Sequence, residues 1–308
     1  MPEIKKILII KHGSLGDICL SFEAFASVRK FYKKAKISIL TEEKYFKLFL
    51  KSKYTNYLII DNRSNIFESF SLLLKISKEK FDLIIDFQNS NRTSIYNLFF
   101  RFFSNAKICS SRPFAHYRYF IPMQGKERII NGLRNQLKLL GIAKKISLNY
   151  FWLKTKIKKT SNKKIALFIP GVSKNGKTKQ WDPKKYAEVA NFLEKLNYGI
   201  YLVGTKNDYA SLLPIINSCK KVTNLMDKSP PEIIYSLALK SKIIFSNDTG
   251  PGHIASLAKK NFIWIINDNK ISKANQPIGK HIYILKSKSI NNISSQKVIN
   301  FIKKNKLI

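Results

Sequence analysis

Residues 245–260 read Phe245-Ser-Asn-Asp248-Thr249-Gly250-Pro251-Gly252-His253-Ile-Ala-Ser-Leu-Ala-Lys-Lys260. The apolar run Ile243-Ile244-Phe245 just ahead of them has the composition of a buried strand. Ile254, Ala255, Leu257 and Ala258 share one face of a short helical pattern behind them. The stretch is therefore a strand-to-helix turn, the repeating joint of a parallel α/β sheet. Gly250 and Gly252 carry no side chain to keep a ligand away, and Pro251 suits a first helical turn. The unpaired N–H groups of such a turn make a site for an anion such as a diphosphate. An ordinary capped helix start, with Asp248 or Thr249 as the cap, gives the same local pattern. His253 favours the ligand reading, since a polar ring beside Asp248 and Thr249 is expected to point at the ligand position.

Outward from this turn the same alternation continues. In the second half, strands are predicted at 164–169, 199–203, 221–224, 242–246, 262–266 and 281–285. Helices are predicted at 183–196, 206–217 and 230–240, with a last one over 295–304 capped by Ser294 or Ser295. In the first half, strands are predicted at 5–10, 37–40, 57–60 and 82–87, alternating with helices at 18–34, 42–50, 66–79 and 93–103. Residues 105–127 read as irregular and basic, and 128–140 as a helix closed by Gly141. The polar run 154–164 reads as a linker. The expectation is an N-terminal Rossmann-like domain over 1–158, a C-terminal one over 159–290, and a terminal segment 291–308.

Composition sets the outer bounds. The chain has 308 residues, enough for two domains of about 150 residues each. No apolar run approaches the ~20 residues of a membrane span, and nothing resembles a signal peptide. Cys19, Cys109 and Cys219 are too widely spaced for a zinc site or a disulfide framework, so a reducing cytoplasm is expected. The net charge of +37 attracts anionic partners: nucleic acid, an anionic membrane surface or a phosphorylated acceptor. The lysines are scattered through both halves, so compositional bias accounts for the same number.

Three further turns fall at predicted strand ends, where open parallel sheets place their ligands. Lys11-His12-Gly13-Ser14-Leu15-Gly16-Asp17 lacks the full GxGxxG spacing of a nicotinamide site. Asp17 reads either as a helix cap or as a general base. Pro170–Trp181 brings glycines, Ser173 and lysines together. Its Gly171-to-Thr178 spacing matches a phosphate-binding P-loop formally, but the predicted helix starts near Pro183, too late for that loop. Val203–Asp208 puts a carboxylate at a helix start, suited to a ribose hydroxyl or to capping. There is no DxD pair and no His/Cys/Asp cluster at ligand spacing, so no metal is expected; backbone N–H groups, Lys and His are left to meet a leaving group's charge.

These four turns, in this order, resemble glycosyltransferase family nine, the ADP-heptose:lipopolysaccharide heptosyltransferases. The resemblance spans nearly the whole chain. It is carried by Ile7–Asp17, Phe81-Asp-Leu-Ile-Ile-Asp-Phe-Gln88, Lys179-Gln-Trp181 and Ser246-Asn-Asp-Thr-Gly-Pro-Gly-His253. It implies a GT-B arrangement, with two Rossmann-like parallel-sheet domains facing across a cleft and the terminal helix crossing back to the first. It implies a metal-independent, inverting transfer of a heptose or related sugar from an ADP-sugar to a lipopolysaccharide core or similar anionic glycolipid. Asp17 would be the base, in the turn of Gly13 and Gly16. Lys179 would offset charge on the departing diphosphate, held by Thr249, Gly250 and His253 and flanked by Ser173. Asp248 would touch the sugar or orient Lys179. Asp208 stands where the family often has Glu for the ribose, and Ile266-Asn-Asp-Asn269 where it usually has a Gly-Pro-Thr turn.

The implied partners are a nucleotide sugar, a lipid-linked saccharide and the anionic inner face of the cytoplasmic membrane, with no cofactor. A GT-B transferase using another nucleotide sugar is one alternative. A basic nucleic-acid-binding protein is another, but no recognition signature or aromatic-lysine clustering supports it, so no specific nucleic acid is expected.

Overall fold

The computed structural model describes residues 3–122, 126–157 and 164–308. The chain forms two compact units, Met1–Trp152 and Leu153–Ile308. The boundary expected at 158 lies outside the described residues, as does most of the expected linker.

The first unit runs β1 (Lys6–Ile10), α1 (Leu15–Phe31), β2 (Lys36–Thr41), α2 (Phe46–Lys51), β3 (Tyr57–Ile60), α3 (Ile66–Lys78), β4 (Leu83–Asp86), α4 (Asn91–Phe103), β5 (Lys107–Ser110), β6 (Tyr117–Arg118) and α5 (Ile129–Lys138). Its six strands are all parallel, in the order β3-β2-β1-β4-β5-β6. The second unit runs β7 (Ile165–Ile169), α6 (Pro183–Lys195), β8 (Gly199–Leu202), α7 (Tyr209–Ser218), β9 (Val222–Asn224), α8 (Pro231–Lys240), β10 (Ile243–Asn247), α9 (Gly250–Ser256), β11 (Asn261–Asn267), α10 (Lys270–Asn275), β12 (Ile282–Ser287) and α11 (Ser295–Lys304). Its order, β12-β11-β10-β7-β8-β9, is again fully parallel. Counted from each unit's own first strand, both are the doubly wound 3-2-1-4-5-6 order.

The central strands explain why the apolar runs were legible. Ile7, Leu8, Ile9 and Ile10 of β1 are all fully buried, as are Ile243, Ile244 and Phe245 of β10. A strand covered on both faces reads as a continuous apolar run. Phe168 of β7 stacks on Phe245 of β10, with ring centroids 4.8 Å apart, in the core of the second unit. Val298, Ile299 and Ile302 of α11 join that same core, and the helix packs on α6.

Residues 105–127, expected to be irregular, contain β5 and β6. The pairing of β5 with β4 and of β6 with β5 fixes these short strands, and four and two residues are too few for a periodic signal. The helix expected from 206 begins as a 3-10 turn over Lys206–Asp208 and becomes α7 at Tyr209.

Candidate functional site

In a 3-2-1-4-5-6 sheet the strand order reverses between the first and fourth strands, and ligands bind beyond their carboxyl ends. In the second unit this point lies between β7 and β10. The turns there are Pro170–Asp182 and Asp248–Thr249, the two that carry Lys179 and Asp248. Lys179 Nζ donates to Asp248 Oδ2 at 3.0 Å. His253 Nε2 lies 3.4 Å from Asp248 Oδ1. Lys179 and His253, 74 positions apart, thus share the Asp248 carboxylate. Burial pushes the Asp248 carboxyl up, but the His253 hydrogen bond and the Lys179 ammonium outweigh it and hold it below the usual carboxylate range.

His253 differs from its expected posture. Its side chain is buried, its ring packs edge-on against Trp264 at 4.9 Å, and Nε2 faces Asp248. The first turn of α9 brings Thr249 to the N-cap and Gly250 to the first helical position. Gly252 sits so close to β10 that a Cβ there would meet Ser246 Oγ at 2.4 Å and the Asn247 carbonyl at 3.2 Å. Ser173 lies exposed at the start of a 3-10 segment, Lys174–Lys179, that carries Lys179 to the site.

Asp208 reaches the same corner from β8. Its Oδ2 accepts from Thr205 N at 2.8 Å and from Thr205 Oγ1 at 2.9 Å, so the capping role is present. It also abuts the turn after β7, where a Cβ on Gly171 would lie 2.3 Å from Asp208 Oδ1. Gly171 is therefore required by a close approach, not by its backbone angles.

The Lys179 turn is held by residues that no motif marks with a role. Asn247, fully buried at the end of β10, accepts from Trp181 N and Tyr186 Oη at 3.0 Å each and donates to the Pro170 carbonyl at 2.8 Å. Asn267, ending β11, donates to the Thr178 carbonyl at 2.7 Å. Trp181 is fully buried and donates Nε1–H to the Ile293 carbonyl at 2.7 Å. The turn is thus clamped on both sides of Lys179 while the lysine itself stays partly exposed. An asparagine at two strand ends was the available signal.

In the first unit the switch point lies between β1 and β4. Asp17 sits in the first turn of α1, half-buried, and its Oδ2 accepts from Ser14 N and Ser14 Oγ at 3.0 Å each. Gly16 is buried beside it, and Gly13 faces the Tyr45 ring, whose Cε2 would lie 2.8 Å from a Cβ. Gln88, just after β4, accepts from His12 N at 3.1 Å and Gly13 N at 3.3 Å and so ties the two turns together. Below them is a buried polar cluster. Asp61 Oδ2 meets His12 Nε2 at 2.7 Å and accepts from Tyr96 Oη at 2.7 Å. Asp86 accepts from Gln88 N, Asn89 N and Ser110 Oγ at 2.9 Å each, and burial pushes its carboxyl up. Lys11 donates to the Phe87 carbonyl at 3.2 Å; burial lowers its pKa, against the charges of Asp17 and Asp86.

Among the described residues no group of three or more His, Cys, Asp or Glu side chains is placed to hold a metal ion. Among them also, no helix is long and apolar enough to cross a membrane.

Two doubly wound units in one chain, each with polar residues gathered at its switch point, make this a protein of the GT-B type. Residues 136–299, more than half of the chain, match the model for glycosyltransferase family 9 (heptosyltransferase). The chain is 24% identical over 283 residues to lipooligosaccharide heptosyltransferase 2 of Campylobacter jejuni, covering 87% of this chain and 82% of that protein. Its fold is similar to that of the family 9 glycosyl transferase from Veillonella parvula, with a TM-score of 0.82, 18% identity and 99% and 98% of the two chains covered. It is also similar to E. coli heptosyltransferase WaaC with ADP-2-deoxy-2-fluoro heptose, with a TM-score of 0.77, 16% identity and 97% and 99% covered. The chain belongs to glycosyltransferase family 9.

Proposed function

We propose that this protein is an inverting heptosyltransferase that moves a heptose from an ADP-sugar to the saccharide core of a lipopolysaccharide. The observation that carries the donor half is the Lys179–Asp248–His253 arrangement at the switch point of the second unit. When a sugar–diphosphate bond breaks, negative charge grows on the departing phosphate. A cation held in place stabilises that charge without reorganising during the step. Lys179 is such a cation: Asp248 fixes its direction, and His253 fixes Asp248 from the buried side. The N–H groups of Gly250 and Gly252 and the Thr249 hydroxyl add donors at the start of α9, with Ser173 on the facing turn. Asp208 takes the ribose.

Asp17 is the general base. Its carboxylate is oriented by Ser14, and it removes the proton from the acceptor hydroxyl as that oxygen attacks the anomeric carbon. A single displacement inverts the configuration there. The charge is met by protein groups, so transfer is expected to persist in a chelator. The relatives named above, a lipooligosaccharide heptosyltransferase and an enzyme solved with an ADP-heptose analogue, support the choice of donor and acceptor. A lipid-linked acceptor places the enzyme peripherally on the anionic inner face of the cytoplasmic membrane.

Titration calorimetry with ADP-, UDP-, GDP- and CDP-sugars tests the donor. Binding of the ADP-sugar is expected, with Lys179→Ala weakening it by roughly tenfold or more, the usual cost of a lost charge-assisted contact. Asp17→Asn is expected to keep donor affinity and to slow transfer by about 10²–10⁴-fold. Normal turnover in Asp17→Asn would remove it from the role of base, and unchanged affinity in Lys179→Ala would remove the cradle.

A further inference from the structure

The first unit carries an apolar surface that its own core does not use. On α3, Ile66, Phe67 and Phe70 are exposed, Phe67 by 87%. On α4, Ile95, Phe102 and Phe103 are exposed, Phe102 by 74%. The two helices pack side by side. Three of the rings form a row: Phe70 lies 5.5 Å from the buried Phe99, and Phe99 stacks on Phe103 at 4.6 Å. Large aromatic groups gathered on one face in this way mark an interaction surface, since scattered exposure would need no explanation.

The charge carried by these two helices is one-sided. α3 and α4 together hold Lys75, Lys78, Arg92 and Arg101 against one carboxylate, Glu68, which Asn65 Nδ2 engages at 2.8 Å. Beyond the C-terminus of α4, Lys107 continues the positive side, whereas the nearby His116 adds no charge, its Nδ1 accepting from Ile108 N at 3.0 Å. Burial, and then the charges of Arg101 and Lys107, lower the pKa of His116.

We propose that the outer face of α3 and α4 docks on an anionic lipid bilayer, with its phenylalanines in the headgroup region and its Arg and Lys side chains on lipid phosphates. This deepens the membrane placement proposed above and rests on it. Phenylalanine beside arginine and lysine is the composition of an interfacial helix: the rings supply apolar burial and the cations supply attraction to the surface. A second copy of the chain is a poor occupant, because it brings another +37 charge to helices that already carry an excess of cations. A negatively charged membrane meets both features at once.

The test is co-sedimentation of the full chain with vesicles of phosphatidylcholine alone and of an equal mixture with phosphatidylglycerol, at low and high salt. The wild type is expected to sediment with the mixed vesicles and weakly with the neutral ones. The variant Ile66→Ser/Phe67→Ser/Phe102→Ser is expected to bind about tenfold more weakly or worse, with its melting temperature and ADP affinity unchanged. Arg101→Gln/Lys107→Gln is expected to bind more weakly and with a shallower salt dependence. If the serine variant binds like the wild type and salt alone releases it, adsorption through overall charge explains the binding and the proposal is wrong. It is equally wrong if the wild type is a dimer that the serine variant dissociates, or if RNA outcompetes vesicles for this face. A wild type that ignores the mixed vesicles sinks the membrane placement as well, whereas the ADP titration judges the donor site independently.

Discussion

Asp248 and Asp61 are buried carboxylates held in their charged form by neighbours, and this has a direction in pH. Burial pushes Asp61 up, but hydrogen bonds from His12 and Tyr96 outweigh it, so its pKa, like that of Asp248, lies below the usual range. Such a group contributes stability that is fully present above its unfolded pKa, near 4, and lost as pH falls through the lower folded value. Urea midpoints are therefore expected to drop from about pH 4 downward, and Asp61→Asn or Asp248→Asn to flatten that drop while lowering stability at neutral pH. An unchanged slope in both variants would mean that neither carboxylate is held as the geometry indicates. The two residues also differ in how visible they were. Asp248 stands in a glycine-bearing turn and was read from the sequence with Lys179 and His253. The orientation of His253 was not readable, because burial against Trp264 depends on a strand eleven residues away. The His12–Asp61–Tyr96 cluster had no sequence signal at all, since its members stand 49 and 35 residues apart and meet only through the sheet.

At the scale of elements, the strand–helix alternation was legible wherever a strand is buried on both faces, as in β1, β7 and β10. It failed at β5, β6 and α10, which neighbouring pairs and caps hold more than their own composition does. The contact that most depends on a single residue is that of α9 with β10. Gly252 lets the helix start lie on Ser246, Asn247 and Trp264, and a Cβ would come within 2.4 Å of Ser246 Oγ and 3.0 Å of Trp264. Trp264 is fully buried and the Asn247 carbonyl is backbone, so neither yields easily. Gly252→Ala is expected to cost roughly 1–3 kcal/mol, the range for overpacking, and to weaken ADP binding, because the turn carrying Asp248 and Thr249 must shift with the helix. Thermal melting and calorimetry on one sample measure both. Melting at the wild-type temperature would show that α9 seats without needing this approach.

At the scale of the whole molecule, charge is the dominant imbalance. The chain has 56 Lys and Arg against 19 Asp and Glu, so about a third of its cations can find a carboxylate even if every one is paired. The remainder repel one another, which opposes the compact state. Salt shortens the reach of that repulsion from about 30 Å at 0.01 M to about 8 Å at 0.15 M. Sodium chloride is therefore expected to raise the melting temperature by several degrees over that range, instead of weakening a structure built on surface ion pairs. Because each unit has its own sheet and core, melting need not be a single transition. Chloride screens both units and should move both transitions. ADP binds only the folded second unit in the proposed reading and should move that unit's transition alone, with a dependence on its concentration set by mass action. Scanning calorimetry at stepped chloride and ADP concentrations separates the two effects. A melting temperature that stays flat or falls with chloride would mean that the excess charge is already neutralised within the fold, and an ADP shift shared by both transitions would mean that the nucleotide site is not confined to the second unit.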